Sequence, residues 1–183
     1  MSSPMREHGF TLIELTVIVI VLAVVVGVVA RGLSDTPART RQIALVGTLA
    51  SLRKAIDVYG HEHGVFPGLI SAVPPKGTCR VGLEGTGIGW PDGKGVTEAF
   101  NQQLTSYTTS GGGACSVGGD PFLYGPYFRN VDLPENPITG SNAITIVGDG
   151  DLYMKSDARP AGGWKYDVLT GKLIADDPKY DHL

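Results

Sequence analysis

The sequence predicts an α+β fold: a long N-terminal α-helix, apolar in its first half and amphipathic in its second, packed against a small antiparallel β-sheet head. Three observations predict it. The 21 residues from Phe10 to Ala30 carry one charge, Glu14, and two threonines, and about 20 mostly apolar residues span a bilayer as a helix. From Pro37 to about Gly60, the residues Leu45, Leu49, Leu52, Ile56 and Tyr59 recur in steps of four and three, which draws one apolar stripe at the helical period. Near the C-terminus, Ala143–Val147 is short and β-branched and Gly163–Val168 alternates. That alternation sets Trp164, Tyr166 and Val168 on one face and Lys165 and Asp167 on the other. Lys172–Ala175 follows a Leu-Thr-Gly turn, so the stretch reads as a hairpin within three or four antiparallel strands.

The N-terminal run is unusual in two ways. A carboxylate in hydrocarbon costs roughly 2.5–3.5 kcal/mol on insertion scales, so Glu14 calls for a partner or for the membrane interface. The leader MSSPMREHG is polar and ends in glycine. A secretory signal is cut at small residues that follow its apolar core. Here the small residue precedes the core, so cutting there leaves the apolar run on the mature chain. The segment Gly9-Phe10-Thr11-Leu12-Ile13-Glu14 resembles the cleavage and methylation motif of type IV prepilins and type II secretion pseudopilins. The resemblance implies a pilin-like fold, cleavage after Gly9, N-methylation of Phe10, and pairing of Glu14 with a neighbouring subunit's N-terminal amine. A buried charge pair is tolerated only with good geometry, and its best-attested use is to set register.

The partners implied are a prepilin peptidase/methyltransferase, copies of the chain and other pilin-like subunits, an inner-membrane assembly platform and the lipid bilayer. The localisation implied is a single-pass inner-membrane protein with an exported head, then a periplasmic or extracellular filament. On this reading residues 1–9 are a leader and 10–33 a transmembrane and polymerisation helix. Residues 34–60 are the amphipathic half of the stem, and 61–183 a head with a variable loop region at 69–135 and a sheet at 143–176. Flanking charges pull the other way: Arg6 precedes the apolar run, and Arg31, Arg39 and Arg41 follow it, which by the positive-inside rule alone would leave the C-terminal side in the cytoplasm. The resemblance implies the reverse. Many pilins carry a proline where this chain has Arg31; Gly27 and Gly32 are its softening elements instead, each costing ~1 kcal/mol against alanine in a helix.

Two further segments resemble pseudopilins. Leu52–Gly68 is a helix ending in a tyrosine-bearing turn before Gly-x-x-Pro, with Gly64 and Pro67 as the stop. Tyr124-Gly125-Pro126-Tyr127-Phe128 through Leu133-Pro134-Glu135-Asn136-Pro137-Ile138-Thr139-Gly140-Ser141-Asn142 is the run before the sheet. Between them the chain is rich in glycine and proline, with a short helix expected over Thr97–Leu104. The glycines of GTGIGW lack the lysine of a phosphate loop and read as turns.

The net charge of −3 over 183 residues and the lack of a basic run predict no nucleic acid as main partner. Cys79 and Cys115 are the only cysteines. In an exported head a disulfide between them is favoured over two reduced thiols. His61 and His63 lie two apart near a helix end, share no face, and are expected to be solvated. Asp149, Asp151 and Asp157 are the calcium candidates, although their spacing lacks the EF-hand pattern; no other cofactor is expected. No nucleophile elbow, HExxH or Cys-His box occurs, so no enzyme activity is predicted. The expectation is a structural subunit of a type II secretion pseudopilus. The alternatives are a type IV pilin, major or minor, for adhesion, motility or DNA uptake, and a membrane-anchored binding module that does not polymerise.

Overall fold

The computed structural model describes residues 11–32, 36–79, 94–129, 132–157 and 162–183. The chain divides into two compact units, Met1–Arg41 and Gln42–Leu183. The first contains α1 (Leu12–Gly32). The second is built on α2 (Thr36–His63) from Gln42 onward, α3 (Lys94–Thr105), and five short strands: β1 (Tyr107–Thr108), β2 (Ala114–Cys115), β3 (Ile144–Val147), β4 (Trp164–Asp167) and β5 (Leu173–Ala175). The architecture is α+β, as expected.

The apolar stripe read from the spacing is the buried face of α2. Leu45, Leu49, Leu52, Ile56 and Tyr59 are each at most 1 % exposed, and they pack with Phe100 and Leu104 of α3, with Trp164, Tyr166 and Leu173 of the sheet, and with Val168 just after β4. Full burial contributes ~1.5–3 kcal/mol for each large aliphatic or aromatic side chain. The helix stops where Gly64 adopts φ 71° and its N–H bonds the Gly60 carbonyl at 2.9 Å, the left-handed cap that glycine adopts without a Cβ penalty.

The sheet corrects one expectation. Its order is β3-β4-β5; β4 and β5 are antiparallel, but β3 and β4 are parallel, with Ile144 opposite Trp164 and Val147 opposite Asp167. Parallel neighbours need a crossover of a dozen or more residues, and the connection over 148–163 supplies it. A second, two-stranded antiparallel sheet pairs β1 with β2 inside the region read as variable loop. Where regular structure is sparse, buried side chains satisfy the backbone. Gln103, fully buried, accepts from Gly68 N at 2.7 Å and donates to the carbonyls of Ile70 and Gly112 at 3.1 Å each. Asn136, also fully buried, donates to Gly163 O at 2.7 Å and accepts from Ile138 N at 2.9 Å. The face of β4 opposite the core is not open either: Asp167 is fully buried and accepts from the backbone N–H groups of Leu169 at 2.8 Å and Asp151 at 3.0 Å.

The β4–β5 turn supplies a test. Gly171 has φ 71°, and a Cβ there would run into the Phe66 ring; Gly140 has φ 69° and open space around it. Left-handed strain costs roughly 1–2 kcal/mol for a non-glycine residue, and overpacking adds ~1–3 kcal/mol. Gly171→Ala is therefore expected to lower stability by about 2–5 kcal/mol and Gly140→Ala by about 1–2 kcal/mol, read from denaturant midpoints by tryptophan fluorescence.

Candidate functional site: the N-terminal apolar helix

α1 begins with a local signal. The Glu14 backbone N–H bonds both the hydroxyl of Thr11, at 3.3 Å, and its carbonyl, at 3.1 Å. Thr11 is thus the N-cap, and Thr11-Leu12-Ile13-Glu14 has the spacing of a capping box. This signal is legible in the sequence and was not among the readings above. Glu14 stands in the first turn, where a carboxylate meets the positive end of the helix dipole and gains ~0.3–1 kcal/mol.

Beyond Glu14 the described side chains of the helix form no polar face. Among the described side chains, Leu12, Ile13, Leu15, Val17, Ile18, Val19, Ile20, Val21, Leu22, Val24, Val25 and Val26 are 46 to 82 % exposed. Gly9 and Phe10, the processing positions, lie outside the described residues, as do the side chains of residues 27–36. Among the described residues, no helix is long and apolar enough to cross a membrane.

Among its described residues the second unit holds several open clefts. The largest described, about 390 Å³, is lined by Asp57, His61, Phe66, Leu69 and Leu169 among others. Asp57 and His61 are one helical turn apart there, with no nucleophile among the lining residues. The calcium candidates are not brought together. The Asp151 carboxylate accepts from Tyr153 N at 2.8 Å, and Asp157 pairs with Lys165 at 3.2 Å. Asp149 joins neither. Among the described residues, no group of three or more His, Cys, Asp or Glu is placed to hold a metal ion.

Two features depart from expectation or extend it. Cys79 and Cys115 are joined as a disulfide, 36 positions apart in sequence and with Cα atoms 5.7 Å apart. His63 is not a solvated residue: it is half-buried, and its ring stacks on Tyr59 with centroids 3.9 Å apart. Around it, burial holds the Tyr59 hydroxyl well above its ordinary titration range. For Tyr127, burial does the same, reinforced by Glu62, to which the Tyr127 hydroxyl donates. The sequence signal for this cluster is faint, because Tyr124 and Tyr127 are more than sixty residues from His63.

Residues 4–30 match the family model described as the prokaryotic N-terminal methylation motif. The chain therefore carries the prepilin-type cleavage and methylation signal of type IV pilins and pseudopilins. That signal implies processing by a prepilin peptidase at the membrane and assembly with other pilin-like subunits, and it marks structural proteins. No curated protein matches the chain, and no solved structure does.

The disulfide closes a loop that contains α3 and β1. Replacing Cys79 and Cys115 together by serine is expected to lower stability by about 2–4 kcal/mol, measured as a shift of the denaturant midpoint against the oxidised wild type.

Proposed function

We propose that this chain is a structural subunit of a type II secretion pseudopilus. It is cleaved after Gly9, N-methylated on Phe10, and polymerised through its N-terminal helix. The observation that carries the reading is α1 itself: a capped helix whose described aliphatic side chains are all exposed and whose one carboxylate sits in the first turn. Counted along the sequence, the apolar run from Phe10 to Ala30 rises ~31 Å as a helix, matching the ~30 Å hydrocarbon core. In the membrane, lipid covers it; in the filament, copies of the same helix replace the lipid. Glu14 then meets the methylated amine of the adjacent subunit and sets the axial register.

The head, residues 61–183 in the sequence reading, stays on the exported side in this proposal, and the Cys79–Cys115 disulfide supports that side because such bonds persist in oxidising compartments. The pseudopilus branch rests on the two segments that resemble pseudopilins, Leu52–Gly68 and Tyr124–Asn142. A type IV pilin is the sister reading and shares every step except the machine served.

Intact-mass spectrometry tests the processing. Wild-type protein is expected to begin at N-methylated Phe10, and Gly9→Ala to leave full-length precursor; an uncut wild-type N-terminus overturns the proposal. Glu14→Ala is expected to be cut normally yet to reduce the sheared filament fraction at least about tenfold, since breaking a buried charge pair typically costs 3–5 kcal/mol. Unchanged assembly removes the register role. Deleting the chain is expected to retain secreted enzymes inside the cell; loss of motility, adhesion or DNA uptake instead assigns it to a pilus.

A further inference from the structure

α2 has a second, exposed face. Ile43 is 74 % and Val46 49 % exposed, and Ala50 after them is exposed too. Steps of three and four keep all three on one side of the helix, away from the buried stripe. The charges around this face have one sign. Arg39 and Arg41 stand just before it in sequence, Arg53 and Lys54 follow it, and no Asp or Glu occurs between Thr36 and Ile56.

The far end of the same helix is its complement. The cleft of about 390 Å³ is lined by Asp57 and His61 from the last turns of α2, by Phe66 and Leu69, and by Leu169 of the β4–β5 turn. Leu69 is 41 % and Leu169 52 % exposed, and Asp57 is exposed beside them. Past Leu169 the rim continues onto the loop around Gly150, where a Cβ would lie 3.9 Å from the Leu169 side chain. The buried Asp167 carboxylate ties the two pieces together, accepting from Leu169 N at 2.8 Å and Asp151 N at 3.0 Å. This loop exposes Asp149, Asp151, Leu152 and Tyr153. The neighbouring cations are already engaged: Arg53 donates to the carbonyls of Leu173 and Leu183, and Lys172 to that of Leu152. The cleft is therefore apolar inside and acidic at its edge.

We propose that this cleft is a socket for a second copy of the chain, and that the segment entering it is the basic, aliphatic start of α2 around Ile43. The inference rests on the polymer reading above and adds to it a contact outside the apolar helix α1. One contact covers the aliphatic side chains left exposed at both ends of α2, and exposed apolar patches rimmed by polar residues mark such surfaces. Arg39 and Arg41 then face Asp57, Asp149 and Asp151. Exposed ion pairs add little affinity each, but complementary rims select orientation and register.

The geometry decides how copies follow one another. Position 59, midway between Asp57 and His61, is 16 residues past Ile43, a rise of ~24 Å along the helix. Copies standing parallel, as subunits processed in one membrane do, cannot satisfy both ends of α2 against a single partner. Each seats its own start in one neighbour and offers its socket to another, with a stagger of ~24 Å. Such a contact is heterologous and open-ended, whereas antiparallel copies would satisfy both ends at once and close as a two-fold dimer.

Cross-linking in sheared filaments of the full chain tests this, with Ile43→Cys and Leu169→Cys combined and the native disulfide intact. A short bismaleimide is expected to give a ladder of dimers, trimers and longer products, and either substitution alone no more than dimers. A double variant that stops at the dimer shows a closed pair and overturns the proposal. Filaments that form without any link also overturn it, while the polymer reading stands; a wild type that forms no filaments removes both. If the double variant does not assemble, charge reversal decides. Asp57→Lys is expected to reduce the filament fraction about fivefold or more, and adding Arg39→Glu to restore most of it; no restoration overturns the socket.

Discussion

Twelve large aliphatic side chains on α1 have no cover among the described residues. Burying each contributes ~1.5–3 kcal/mol, so together they outweigh the ~5–15 kcal/mol that holds a typical domain folded. Such a surface determines the company its chain must keep. Lipid covers it without specificity, and another copy of the same helix covers it with shape. The contrast with α2 is direct, because every member of that helix's apolar stripe is buried by its own chain. One helix has its apolar stripe satisfied at home; the other carries an unmet demand, and the processing signal lies at the end of the helix that carries it.

The second unit shows how a head with little regular structure stays rigid. Its strands are two to four residues long, so most of its backbone has no ladder partner. Buried N–H and C=O groups left unpaired cost about 1–3 kcal/mol each, and long polar side chains fill the role. Gln103, Asn136 and Asp167 each bond two or three backbone groups across the fold. Arg53 on α2 adds a fork to the carbonyls of Leu173, at 2.8 and 3.0 Å, and Leu183, at 2.6 Å. Burial pulls its guanidinium below the usual value, and the charge of Asp57 pushes back; an arginine stays charged under any such shift of ordinary size. These side chains do the work of a sheet without a sheet's periodicity.

That explains which parts were legible in the sequence. Periodic burial leaves a periodic trace, so the α2 stripe, the Gly64 stop and the β4–β5 hairpin could be read directly. The parallel pairing of β3 with β4 could not: alternation fixes the face of a strand but not its neighbour's direction, and only the long connection over 148–163 hinted at a crossover. Gln103 and Asp167 left no trace, since a buried amide or carboxylate bonding backbone looks like any surface polar residue in one dimension. His63 was misread for the same reason. Its partners Thr108 and Tyr127 arrive from far along the chain. Asn136 lies between: its run resembles a pseudopilin segment, and the structure supplies the physical reason, a turn whose Asn136 is buried and bonded to Gly163 before β4, with Pro134 O accepting from the Trp164 indole at 2.9 Å.

The placement of Glu14 carries a consequence for the order of events in the proposed assembly. From Phe10 to Ala30 it is the one charged side chain. While the leader is attached, this stretch carries a single negative charge. Cutting after Gly9 creates an ammonium at Phe10, next to the helix N-cap, and the same stretch becomes neutral as a whole: one carboxylate and one amine. Both charges then lie within about one helical turn of the end, ~6 Å along the axis. That is close enough to the interface to be accommodated singly and deep enough to gain from pairing when helices come alongside. An amine at its own helix N-terminus faces the positive end of its dipole, an unfavourable neighbour. A carboxylate from an adjacent copy at the same depth relieves that opposition better than bulk hydrocarbon does. An uncut leader offers no amine at that depth, so on this electrostatic argument the precursor lacks the counterion its own Glu14 requires, and cleavage comes before packing as a physical condition of it.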